Sequence, residues 1–279
     1  MKKLIRQSFA ALAAIIALSA CSDDDNKASV ANRITTPNTS GYSKLVSVER
    51  AGSFQNMYAW RFGYSGNNLV QAVSTLQHSN DMQSEGNKAN YSLSYGERTV
   101  GISTNGVPMS VALNEEALVS KATSGNTTYN YSYTGGYLTS WKVLYQNNGF
   151  GGSSTKGATA ELSRTVNGNI TEIKYTPSAD APDIYYTYSF EYTQDDNVNG
   201  LLPEAISKVM GCEGFEYIYY AGLLGRGTQN LVKSITVTHS KNEEETAYEF
   251  FYNFDTNRNT ITCSYGKGSN TVVVTYKYQ

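Results

Sequence analysis

Tyr58-Ala59-Trp60-Arg61-Phe62-Gly63-Tyr64 sets a large aromatic ring at every second position, with small or charged residues between them. A β-strand turns successive side chains to opposite faces, so this spacing predicts one covered face and one wet face. The pattern returns in Tyr129-Asn130-Tyr131-Ser132-Tyr133, in Tyr186-Thr187-Tyr188-Ser189-Phe190-Glu191-Tyr192, and in Tyr248, Phe250, Tyr252 and Phe254. Each aromatic strand runs into a turn and a second strand. Gly66-Asn67-Asn68 leads to Leu69 and Val73, Gly135-Gly136 to Leu138 and Trp141, and Asp255 to Asn259 to Ile261 and Tyr265. Asn167-Gly168 is the sharpest signal, because both residues tolerate the positive φ of a two-residue hairpin.

The chain therefore reads as irregular tandem hairpins, roughly 14 to 17 strands at the usual lengths of about 5 to 10 residues. Helix is nearly absent; Leu201 to Met210, with Pro203 near its start and Gly211 after it, is at most a turn or two of connector. The expected fold is all-β: a large antiparallel up-and-down meander closing into a barrel or half-barrel. Tyrosine runs the whole length of many strands, and a hydroxyl at the centre of a bilayer would lack partners. A barrel standing in water, filled or lined by tyrosine, is the expectation.

The first residues carry an address. Lys2, Lys3 and Arg6 precede a short apolar stretch, Phe9 to Leu18, and Ser19-Ala20 then gives small residues before a cysteine. Leu18-Ser19-Ala20-Cys21 looks like a lipobox, so residues 1–20 are expected to be a lipoprotein signal peptide and Cys21 the lipidated N-terminus. Ser22-Asp23-Asp24-Asp25 resembles the acidic export tag of Bacteroidota surface lipoproteins. It implies display on the outer face of the outer membrane, with the periplasmic leaflet as the alternative. Residues 21–41 are polar and aperiodic, a tether. Residues 42–279 contain no clear linker and form one domain.

The repeated aromatic strands, together with Tyr219-Tyr220-Ala221-Gly222-Leu223-Leu224-Gly225 and Asn230-Leu231-Val232-Lys233-Ser234-Ile235, resemble a family of gut Bacteroidota lipoproteins whose domain has a porin-like β fold and no known function. The resemblance covers about Met57 to Tyr278 and implies fold alone; it brings no catalytic residues.

Composition narrows the function. Without Lys2, Lys3 and Arg6 there are 19 basic against 24 acidic side chains, a net charge near -5, so no basic excess attracts nucleic acid. His78 and His239 are far apart and neither sits in a triad or zinc spacing. Cys212 and Cys263 could pair in an exported protein, but Cys263 alternates with Ile261 and Tyr265, which favours a buried free thiol. Asp195, Asn197, Asn199 and Gly200 match the opening of a calcium loop, yet its twelfth position is Ile206 rather than glutamate, so a turn is the better reading. Gly149 to Gly157 lacks the Gly-Lys-Ser/Thr order of a phosphate loop and reads as a flexible loop. Glu243-Glu244-Glu245 reads as solvated charge in a hairpin turn.

No catalytic motif, metal site or cofactor is expected. Trp60 and Trp141 are the candidates for a ligand-stacking face, although aromatic alternation also builds cores. The functional expectation is a lipid-anchored binding or accessory protein, for a glycan or an envelope protein. The alternative is a structural or adhesive role, with a hydrolase behind both.

Overall fold

A computed structural model describes residues 44–52, 57–77, 87–104, 109–146, 154–241, 245–266 and 270–279. Among these residues sixteen strands form one closed antiparallel barrel, each paired with its neighbours in sequence and β1 with β16. They are β1 (Leu45–Gly52), β2 (Met57–Ser65), β3 (Asn68–Gln77), β4 (Asn87–Tyr95), β5 (Thr99–Thr104), β6 (Met109–Leu113), β7 (Val119–Ser124) and β8 (Thr127–Thr134). The second half comprises β9 (Tyr137–Gln146), β10 (Ser154–Arg164), β11 (Ile170–Thr176), β12 (Tyr186–Asp196), β13 (Asn230–His239), β14 (Glu245–Phe254), β15 (Thr260–Tyr265) and β16 (Val272–Tyr278). The expected meander is present, and of barrel and half-barrel it is the barrel.

Up-and-down order gives the barrel two unlike ends. The chain enters at Lys44, whose backbone exchanges hydrogen bonds with that of Gln279, and this end is called proximal. The turns at 66–67, 96–98, 114–118, 135–136, 165–169 and 255–259 all lie there. The β10–β11 turn corrects the two-residue reading of Asn167-Gly168. Only Gly168 takes positive φ, +88°. The turn spans Thr165 to Asn169, closed by Thr165 N–H to Asn169 C=O and by Gly168 N–H to Thr165 C=O, and the Tyr137 ring packs where a Cβ of residue 168 would stand.

Alternation holds along the wall. On β2, Trp60 and Phe62 are buried inside while Arg61 is exposed outside. On β4 and β5, Leu93, Val100 and Ile102 point in and Ser92, Ser94 and Ser103 point out. Cys263 and Tyr265 are buried as expected, but Ile261 is exposed. A register shift between Asn253 and Phe254 puts Thr260, not Ile261, opposite Phe254 and turns Ile261 outward. Cys212 and Cys263 are both free thiols. The Gly149–Gly157 loop reading also changes: β10 begins at Ser154, so Lys156 and Gly157 belong to a strand.

The proximal rim carries a repeated latch. Tyr64 of β2 donates its hydroxyl to the Leu45 carbonyl of β1 at 2.9 Å, and Tyr95 of β4 to Leu69 of β3 at 2.7 Å. Tyr133 of β8, Tyr192 of β12, Tyr252 of β14 and Tyr278 of β16 bond Val119, Ile170, Val232 and Thr260 at 2.8–2.9 Å in the same way. On β10 the position is Arg164, whose Nε–H reaches the Leu138 carbonyl at 3.3 Å. Every even strand except β6, where Leu113 stands, thus ties its proximal end to the strand before it. Register shifts beside Tyr64, Tyr133, Arg164 and Tyr192 re-aim these side chains toward the rim, a usual service of β-bulges.

Candidate functional site

The interior decides what this barrel can do, and it is occupied by the chain itself. Between β12 and β13, residues 197–229 dip into the barrel from the proximal end as a plug. It contains a 3₁₀ turn (Glu204–Ile206) and a one-turn helix α1 (Tyr217–Tyr220). Leu201, Leu202, Ile206, Val209, Met210, Phe215, Ile218, Leu223 and Leu224 are all buried. The sequence reading of Leu201–Met210 as a connector is corrected: it is part of the core. The signal that could have revealed it is a long apolar stretch with no period of two, in a protein otherwise built on that period.

At the proximal rim both arms of the plug are bonded to the wall. Arg226 N–H reaches the Gly136 carbonyl, Val119 N–H reaches Leu223, and Gly225 bridges Tyr137. Asn197 joins the two arms, donating to Leu201 C=O at 3.1 Å and to Thr228 Oγ1 at 3.2 Å while accepting from Leu201 N–H. Asn199 exchanges bonds with Asn259 and Thr260, and Asp195 pairs with Arg258 at 2.9 Å. These are turn and tether bonds, and the described residues hold no group of three metal-ligating side chains.

Deeper in, two tryptophans grip the plug. Trp141, 4% exposed, donates Nε1–H to the Val209 carbonyl at 2.8 Å, and its ring lies on Gly211. Gly211 has φ +71°, and a Cβ there would meet the Trp141 ring at 2.7 Å, so two independent reasons demand glycine. Trp60, 1% exposed, donates to Glu216 Oε2 at 3.2 Å, beside a 3.0 Å bond from Tyr58. Burial pushes the Glu216 carboxyl above its usual range, while donors that include Gly214 N–H and Tyr58 pull it back. Neither tryptophan shows a face to solvent. A sugar cannot stack on either while the plug is seated, so the structure gives both residues an anchoring place.

On its distal side the plug reaches solvent, and with the described wall around it this face is called the bowl. Its floor carries the exposed Lys208, Glu213 and Gly214. Its wall holds Tyr129 of β8, Tyr145 of β9, Tyr175 of β11, Tyr186 and Tyr188 of β12 and Tyr248 of β14. Tyr175 lies 6.4 Å from Tyr186, centroid to centroid, and Tyr186 lies 4.7 Å from the ring of His239. Lys208 Nζ sits 5.8 Å from the centre of the Tyr175 ring. Tyr145 is 45% exposed and crosses the β10 bulge at Gly157, where a Cβ would meet its ring at 2.5 Å. None of these six hydroxyls bonds to another described residue. Burial raises the phenols of Tyr129 and Tyr175, with Tyr145 and Glu213 adding to both; burial first, then Tyr248, pushes Tyr188 up to about 12. The hydroxyls of Tyr129, Tyr175 and Tyr188 therefore stay protonated donors at neutral pH. Sequence reasoning missed this group, because Lys208 and Glu213 reach it only through the plug.

His239 is half-buried, and its Nδ1 accepts from Lys241 N–H. Cys21, Ser22, Asp23, Asp24, Asp25 and His78 lie outside the described residues, as do Glu243 and Glu244.

Comparison with known proteins bears on fold. Residues 54–262 match the family described as "Domain of unknown function (DUF4595) with porin-like fold". A porin-like protein from Bacteroides uniformis superposes with a TM-score of 0.68 at 12% identity, over 85% of this chain and 98% of that one. A second, from Bacteroides vulgatus, gives 0.57 at 10% identity, over 85% and 99%. No curated protein matches the chain.

Proposed function

The chain belongs to this family of domains of unknown function with a porin-like fold, and from that premise we propose that it is a lipid-anchored envelope protein that binds through its distal bowl and does not conduct. The observation that carries this is the inversion of a pore. Apolar side chains fill the lumen around the plug, and polar ones cover most of the outer wall, where Phe251, Ile261 and Val273 make a small exposed apolar group rather than a continuous band. Arg61, Glu49 and Lys277 make an ion-pair row across β2, β1 and β16, and Lys233 meets Glu191 on β13 and β12. A lipid-facing wall needs an apolar band, and one lysine at the bilayer centre costs about 2–4 kcal/mol. No helix among the described residues is long and apolar enough to cross a membrane either. The wall belongs in water, and the acyl chains on Cys21 are the anchor.

Lys44 stands at the proximal end, so the N-terminal side of the chain meets the barrel at the rim opposite the bowl. The acidic Asp23-Asp24-Asp25 supports the outer face as the address. Flat rings whose hydroxyls bond no described residue suit a glycan and support binding or accessory work. Metabolic palmitate should label the wild type and not Cys21→Ala, protease added to intact cells should degrade the domain, and the purified barrel should leave planar bilayers silent. Stepwise ion conductance, or absence of label, overturns the reading.

A further inference from the structure

Six tyrosines at one mouth pose a chemical question. Phenylalanine would fill the same inward positions, so the exposed Tyr145 and half-buried Tyr186, Tyr188 and Tyr248, beside the exposed Lys208 and Glu213, offer phenol hydroxyls to water or ligand. A phenol ring offers an apolar face beside a donor, which fits the C–H face of a sugar ring beside its hydroxyls. Charge narrows the choice. The floor carries one cation, Lys208, and one anion, Glu213, and the Lys208 ammonium already lies over the Tyr175 ring. A polyanion would gain the lysine and be repelled by the glutamate, so the field selects no charged polymer. Topology narrows it again. The plug floors the bowl and its arms are bonded to the opposite rim, so nothing can thread the barrel. A ligand enters and leaves by one mouth.

We propose that the distal bowl binds the terminal rings of a neutral glycan end-on, with Tyr145 and Tyr186 as stacking faces, Tyr188 and Tyr248 as hydroxyl partners, and Lys208 and Glu213 bonding sugar hydroxyls from below. This rests on reading the barrel as a water-facing binder and adds the ligand's charge and its direction of approach.

The test is calorimetric titration and saturation-transfer NMR of the whole domain against maltohexaose, cellohexaose, laminarihexaose and mannohexaose, their disaccharides, and an alginate hexamer as the anionic probe. At least one neutral hexasaccharide should bind, and its disaccharide should bind within about threefold, because contacts end at the bowl. Tyr145→Ala with Tyr186→Ala should weaken binding about tenfold or more, as loss of stacking anchors does. Tyr145→Phe with Tyr186→Phe, which keeps the rings, should retain most of the affinity and guards against a folding artefact. Silence with all four neutral sugars, binding of alginate alone, affinity that climbs steadily with chain length, or indifference to the alanine pair each overturns the proposal. A protein that takes palmitate and stays silent in bilayers, yet ignores every neutral sugar, would keep the broader reading and lose this one.

Discussion

Tyr64 and Tyr186 come from the same kind of sequence, an aromatic at every second residue, and both rings face the inside of the same barrel. Their hydroxyls do opposite things. At the proximal rim Tyr64 and its five counterparts reach backbone carbonyls of the preceding strand. At the distal rim Tyr186 and its neighbours hold theirs in the mouth of the bowl. Alternation decides the face a ring occupies; height along the strand decides what the hydroxyl is for. The proximal ring is structure, and the distal ring is available surface.

Alkali should break the whole assembly and expose the contrast on the way. Burial raises the phenols of Tyr64, Tyr95, Tyr192 and Tyr278 above the usual tyrosine value, and Tyr188 only to about 12. A phenol pKa raised in the folded state contributes stability that is full below the unfolded value near 10. That stability drains as pH rises through the folded values. The urea midpoint should hold steady up to about pH 10 and fall continuously above it. Absorbance at the phenolate band should show Tyr188 ionising before the latches, which should ionise only with unfolding. Titration of all 23 tyrosines as one class while the fold persists would erase the distinction.

Removing the latches at neutral pH is the next largest effect. Tyr64, Tyr95, Tyr192 and Tyr278 donate to four different carbonyls, so the loss should scale with the four bonds, with coupling where Tyr64 neighbours Tyr95 and its acceptor Leu45 pairs with Tyr278. The quadruple phenylalanine variant should lose about 4 kcal/mol at roughly 1 kcal/mol per bond, read from the urea midpoint. A smaller loss should follow Glu216→Ala. It leaves the buried Trp60 indole N–H without its acceptor, which costs about 2 kcal/mol, while Tyr58, only half-buried, can turn to water. Trp60 fluorescence should shift toward that of a wetter environment if the plug loosens.

The strands were legible because their signal is local: ring, small residue, ring, then Gly or Asn. Closure was half legible, since a long meander must hide its edges, but nothing in one strand says whether the last meets the first. The latches were not legible. Whether Tyr192 reaches Ile170, 22 residues away on β11, depends on a one-residue register shift where β12 meets β13 on its other side. The plug escaped for a related reason. Leu201 to Leu224 packs against all sides of a barrel that the sequence never displays at once, so Trp60 and Trp141 looked like free faces when they are its anchors. The bowl inherits the same blindness, because its floor residues come from the plug.

The comparison is sharpest where the smallest effect is expected. Tyr145, Tyr186, Tyr188 and Tyr248 changed together to phenylalanine remove as many hydroxyls as the latch quadruple, from the same barrel, with the same atoms deleted. Each ring stays, so apolar packing is conserved. None of the four hydroxyls bonds a described residue, so no bond among the described residues is lost. The change in stability should stay within about 0.5 kcal/mol, the range of surface substitutions away from special features. A loss close to that of the latch variant would mean that the distal hydroxyls are tied into the wall. The two rims would then be one structural device, and the bowl would have no surface to spare for a ligand.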